Sequence, residues 1–220
     1  MLISMLALAG CGGRLQPATT AQLMPGGGKT AVVTVEGVTV MARANAWRGF
    51  PSDLDRQLTP ILVTIRNDRA ESVIVMFGEI ALMAPNGRRF AALPPQTIEG
   101  TVVEPVSAFP AAAGRLEVFP ERDRAPLDPA YRMGTGMSSA PYGWDAGYGG
   151  PTYATVRLPT KDMLARALPS GPIRPGEIAQ GFIYLERVGP EGISLELVLP
   201  LVDAARGESL GQARIPFVFQ

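Results

Sequence analysis

Histidine is absent from all 220 residues, and cysteine occurs once, at Cys11. Without histidine the chain lacks the commonest general base near neutral pH and the commonest metal ligand. Zinc hydrolysis and Ser-His or Cys-His nucleophilic chemistry are thereby excluded. A single thiol rules out an internal disulfide framework and a thiolate metal site. Aromatics make up only 7% of the residues, and net charge is zero. Nothing therefore argues for bulk attraction to nucleic acid. Of the 20 basic residues only Lys29 and Lys161 are lysines. The arginines are scattered along the chain and read as the mark of a GC-rich genome rather than of an anion site.

What is present is concentrated at the N-terminus. An apolar stretch runs from Met1 to Leu8, and Leu8-Ala9-Gly10-Cys11 follows the pattern of a bacterial lipobox. A signal peptidase accepts small residues in extended form before the cysteine. The cysteine then receives a diacylglyceryl group, and two or more acyl chains make a stable anchor. Residues 1–10 read as a lipoprotein signal peptide and Cys11 as the lipidated residue. Only ten residues precede Cys11 and none is basic, which points to a charged region lost upstream. Gly12 in place of Asp suggests the outer membrane, facing the periplasm. The competing reading is a cytoplasmic protein with an apolar N-terminus and a buried cysteine.

Residues 11–29, with Pro17, Pro25 and Gly26-Gly27-Gly28, read as a flexible tether. Gly26-Gly27-Gly28-Lys29-Thr30 is not a phosphate loop, because the first glycine of that motif would fall at Leu23 and no helix pattern follows. Order is expected near Thr30, and residues 30–220 read as a single domain. Ala31–Val35 and Val38–Ala44 predict a hairpin about Glu36-Gly37, or one long bulged strand. Leu58–Arg66 alternates, with Ile61, Val63 and Ile65 on one face. Ser72–Ala84 is apolar on both faces and predicts one central strand with a bulge at Gly78. Pro85-Asn86-Gly87 is a turn signal before a return strand, Arg88–Leu93. Glu177–Arg187 puts Phe182 and Tyr184 on one face. A turn at Gly189-Pro190-Glu191-Gly192 leads to the alternating Ile193, Leu195, Leu197 and Leu199. The last strand carries Ala213, Ile215, Phe217 and Phe219 inward, with Pro216 predicting an edge or a bulge. One helix is expected after Thr160 as N-cap, ended by Pro169 and Gly171 and plugging an end of the sandwich.

The stretch from about 104 to 159 reads as an irregular Pro/Gly-rich insertion with one weak strand candidate, Arg115–Phe119. Its segment Tyr142–Tyr153 spaces rigid aromatics with small residues, as binding loops do. Tyr142, Trp144, Tyr148 and Tyr153 are therefore candidate partner-binding residues. The alternative is that they fold back over the sandwich edge. Ser52-Asp53-Leu54-Asp55 lacks the further ligands of a calcium loop.

From Leu58 to Leu93 the rhythm of alternating strand, Asn67, polar turn, apolar strand, Pro85-Asn86-Gly87 and return strand resembles bacterial Ig-like lipoprotein domains of the telokin-like, immunoprotective-antigen type. The resemblance implies a mainly β, Ig-like antiparallel β-sandwich, here with one short helix and the long insertion. It also implies no shared catalytic residues, and extracytoplasmic binding or envelope roles. The expected protein is a non-enzymatic, membrane-anchored binding or envelope-assembly module without metal or cofactor. Its expected contacts are the membrane, through Cys11, and an envelope protein or glycan. A purely structural envelope lipoprotein and a carboxylate-based glycan hydrolase are the alternatives.

Overall fold

The structure is a computed structural model that describes residues 14–26, 28–105, 153–189 and 194–219. The described chain is mainly β. In order, its strands are β1 (Leu15–Pro17), β2 (Ala31–Val35), β3 (Val38–Ala44), β4 (Leu58–Asn67), β5 (Val73–Val75), β6 (Ala81–Met83), β7 (Arg89–Leu93), β8 (Thr101–Pro105), β9 (Tyr153–Arg157), β10 (Ile178–Glu186), β11 (Ser194–Asp203) and β12 (Ser209–Phe219). One α-helix, α1 (Lys161–Arg166), lies among the described residues.

Ten strands form one antiparallel sheet in the order β1-β12-β11-β6-β7-β10-β4-β3-β2, with β5 also paired to β11. The sheet nearly closes on itself. The Asn45 side chain, just after β3, donates to the Leu15 carbonyl of β1 at 2.5 Å. β7 joins the two halves. Arg89, Phe90 and Ala91 pair with β6, whereas Ala92 and Leu93 pair with β10.

Local chemistry explains these elements. The β2–β3 hairpin turns at Glu36 (φ 47°) and Gly37 (φ 79°), the paired left-handed geometry that matches strand twist. Ile61, Val63 and Ile65 are fully buried, as their alternation predicts. At Pro85-Asn86-Gly87 the Asn86 side chain accepts from Arg88 N at 3.0 Å, and Gly87 takes φ 82°.

Several expectations are corrected. Ser72–Ala84 is not one strand. It divides into β5, a 3-10 turn at Phe77–Glu79 that contains Gly78, and β6. Val75 pairs with Leu201 and Ala81 with Val198. Between those pairs the chain advances 81 − 75 = 6 residues and β11 advances 201 − 198 = 3 residues. The surplus winds into the turn. Pro216 is not on an edge, because β12 lies between β11 and β1. Its carbonyl accepts from Ala18 N at 3.0 Å. The bulge lies instead at Leu201/Val202.

Part of the stretch 11–29, read as a flexible tether, is paired with the sheet. Leu15 to Pro17 pair with Phe219 to Phe217, and Leu23 bridges Ala31. Leu15 is 3% exposed; its side chain joins the main core at an edge of β12 that would otherwise stand open. The expected insertion of 104–159 likewise begins and ends in regular structure, since β8 and β9 pair from Thr101↔Arg157 to Pro105↔Tyr153. Arg115–Phe119 and the turn at Pro190-Glu191-Gly192 lie outside the described residues.

The main core lies inside the sheet and contains Ile183, Leu185, Leu195, Leu197, Leu199, Ile215 and Phe217. A second core covers the outer face of β10. There Phe182 and Tyr184 pack with Trp47, Leu54, Ile98, Val102, Val156 and Met163. Alternate residues of β10 thus enter different cores, and the strand is buried on both faces. α1 lies over this outer face and does not plug an end: Met163 is fully buried, while Leu164 is exposed. Its N-terminus is capped as expected, Thr160 Oγ1 accepting from Met163 N at 3.3 Å.

Candidate functional site

The outer face of β10 supports the β8–β9 ribbon, and the ribbon carries the segment where the candidate aromatics lie. Trp47 meets Phe182 edge-on, with ring centroids 5.0 Å apart, and Tyr184 likewise at 5.9 Å. Trp47 Nε1 donates to the Pro51 carbonyl at 2.7 Å and Tyr184 Oη to the Met163 carbonyl at 2.8 Å. Both buried aromatic polar groups are therefore satisfied. Burial pushes the Tyr184 hydroxyl above its ordinary pKa; the Asp162 carboxylate adds to the shift and Arg166 opposes it. The phenol stays protonated near neutral pH and acts as a fixed donor.

The Trp47 loop is sewn to α1. Phe50 N donates to Asp162 Oδ2 at 2.8 Å, and Thr160 Oγ1 donates to the Phe50 carbonyl at 2.6 Å. Gly49 is required there, because a Cβ would stand 2.6 Å from the Trp47 ring and 2.9 Å from Asp162 Oδ2. The same loop holds the ribbon. Glu104 of β8 is fully buried, and its carboxylate accepts from Ser52 Oγ at 2.6 Å and from Asp53 N at 3.0 Å. Gln57 Nε2 donates to the Thr101 carbonyl at 2.5 Å. The Ser52-Asp53-Leu54-Asp55 motif therefore latches the ribbon. Leu54 is its buried anchor, and Asp53 pairs with Arg56 at 3.2 Å. Among the described residues no group of three or more Cys, Asp or Glu side chains is placed to hold a metal.

Ribbon residues alternate. Val102 and Val156 enter the second core, while Val103 and Tyr153 are 62% and 56% exposed. Tyr153 pairs with Pro105 at the end of the ribbon from which residues 106–152 leave. It stands there as a solvent-facing aromatic. Tyr142, Trp144 and Tyr148 lie within that segment, and Cys11 precedes Arg14; all four are outside the described residues.

A groove of about 570 Å³ opens where β1 begins and β3 and β10 end. Arg14, Arg48, Arg56 and Arg187 line it, with Asp55 and the edge of Trp47. Arg48 Nη1 is held by the carbonyls of Asn45 and Trp47, at 3.2 and 2.5 Å. Arg14 and Arg187 are exposed and make no ion pair with the described residues. These four arginines look scattered in the sequence. Only the pairing of β1 with β12, and of β4 with β10, gathers them.

Two buried polar groups elsewhere serve the fold. The Asn67 side chain donates to the Glu71 and Ile173 carbonyls and accepts from Arg69 N. Asp203 Oδ1 accepts from the backbone N–H groups of Ala205 and Arg206, both at 2.9 Å. No protein-family model, curated protein or solved structure matches the chain.

Proposed function

We propose that this chain is a lipid-anchored, extracytoplasmic protein of a bacterial cell envelope. Cys11 is acylated, in the outer membrane facing the periplasm. The folded domain is a non-enzymatic binding or assembly module that presents residues 106–152 to an envelope protein or glycan. Tyr142, Trp144, Tyr148 and Tyr153 form the contact surface. The Ig-like sandwich is the finer reading of the sheet, and the way β7 divides its pairing between β6 and β10 supports it.

One observation carries the reading. A second core and the Glu104–Ser52–Asp53 latch hold the ribbon rigidly, and that ribbon carries the aromatic segment. Loops mounted on a rigid scaffold are where binding residues concentrate. The exposed Tyr153 at the ribbon's end extends the aromatic run onto the scaffold itself.

The test is crosslinking in native envelopes with wild type and the Trp144→Ala/Tyr148→Ala double variant. A specific adduct lost in the variant, with the melting temperature unchanged, is the expected result. An adduct retained at full yield overturns the contact surface. A lowered melting temperature with no adduct in either protein places the aromatics in the fold instead.

A further inference from the structure

We infer that the arginine-lined groove is a docking surface for the anionic headgroups of the bilayer to which Cys11 is tied. The inference rests on the anchored reading proposed above and adds a second, electrostatic contact to it. Its basis is the distance along the chain. Arg14 lines the groove and Leu15 is already locked into β1. Only Gly12 and Gly13 lie between Cys11 and Arg14, so the three backbone steps reach about 10 Å at full extension. The acylated sulfur therefore holds the Arg14 edge of the groove within about 10 Å of the headgroups, on the order of one physiological screening length. A tether reaching to residue 29 would have left the domain free to stand away; the observed β1 pairing does not.

The chemistry fits that neighbour. Four guanidiniums line the groove against one carboxylate, Asp55. Arg48 is pinned by two carbonyls, and Arg56 is partly neutralised by Asp53. Arg14 and Arg187 flank them, exposed and without an ion-pair partner among the described residues. Guanidinium offers phosphate a planar, two-pronged donor, which suits a lipid phosphodiester. The groove is open to solvent, so headgroups at a flat surface can reach it without a lipid leaving the bilayer. Near an anionic surface each such arginine strengthens partition by about five-fold.

The experiment removes the covalent anchor, so that the groove acts alone. The mature chain from residue 11 carrying Cys11→Ser is sedimented with vesicles of equal parts phosphatidylglycerol and phosphatidylcholine, and with pure phosphatidylcholine vesicles. The expected result is binding to the anionic vesicles at about 10 mM salt, lost at about 1 M, where screening shortens to about 3 Å. Arg14→Gln/Arg187→Gln should weaken that binding roughly twenty-five-fold, while Arg174→Gln, outside the groove, leaves it unchanged. Circular dichroism and the melting temperature should match wild type for both variants, since the substituted side chains are exposed. Equal binding to both vesicle types, no binding to either, or an unaltered affinity in the double variant overturns the inference. None of those results touches acylation of Cys11, which the N-terminal mass of the native protein decides separately.

Discussion

Gly181 has no room for a side chain. A Cβ there would lie 2.4 Å from Leu168 Cα and N, and 2.5 Å from the Ala167 carbonyl carbon. The close approach lets Leu168 N donate to the Phe182 carbonyl at 2.9 Å, which ties the segment after α1 to β10. Backbone atoms cannot rotate away as a side-chain tip can. Gly181→Ala should therefore cost about 3 kcal/mol, read as a fall in melting temperature of roughly 6–12 °C. An unchanged melting temperature would mean that the two segments are not in contact. Asp203 sets a second residue-scale expectation. The Arg206 N–H above all, then the Ala205 N–H and the charges of Arg206 and Arg69, hold its carboxyl below the usual carboxylate range, and burial opposes them only in part. Because the folded value lies under the unfolded one, the contribution is complete above about pH 4. It is lost as pH falls through the lowered folded value. Asp203→Asn should therefore lower the melting temperature at neutral pH and flatten its decline under acid. A parallel decline in both proteins would contradict this.

Elements here are stabilised from two sides, and the ribbon is the case that matters. Val102 and Val156 pack it onto the second core, and Glu104 supplies two hydrogen bonds from within. Glu104→Ala leaves the Ser52 hydroxyl and the Asp53 N–H without their acceptor, a cost of about 1–3 kcal/mol. Amide exchange over 101–105 should rise more than exchange in β11, and uniform exchange would contradict the latch. Such elements differ in how clearly the sequence shows them. The β2–β3 hairpin, the capped start of α1 and the alternation of β11 are legible, because each depends on residues close together in the chain. The break between β5 and β6 is not legible, since apolar residues on both faces fit a continuous strand and an interrupted one equally well. Its cause lies in the spacing of β11, more than a hundred residues away. β8 and β9 are short and separated by the whole 106–152 segment, so no local pattern announces that Thr101 pairs with Arg157. Leu15 gives no periodic signal either, because one buried residue is all that β1 contributes to the core.

At the scale of the whole molecule, the fold separates a rigid body from what it carries. Pro105 and Tyr153 are paired, so the ribbon can be closed directly. Replacing residues 106–152 by Asn-Gly, the two-residue turn that suits strand twist, should leave the melting temperature within about 2 °C of wild type, a change smaller than 1 kcal/mol. The envelope adduct should disappear. A collapse in stability would instead make the segment part of the core. Of the candidate site, the aromatic run and the cysteine are visible in the sequence because each is a contiguous pattern. The arginine groove is not, because positions 14, 48, 56 and 187 meet only through strand pairing. The proposed anchor at Cys11 would decide where all of this operates. Mass spectrometry of the N-terminal peptide of the protein extracted from native membranes tests it most directly. The account predicts a peptide beginning at Cys11 that carries diacylglyceryl on sulfur, with a further acyl chain on the amine. A peptide that retains residues 1–10 and an unmodified thiol would contradict it.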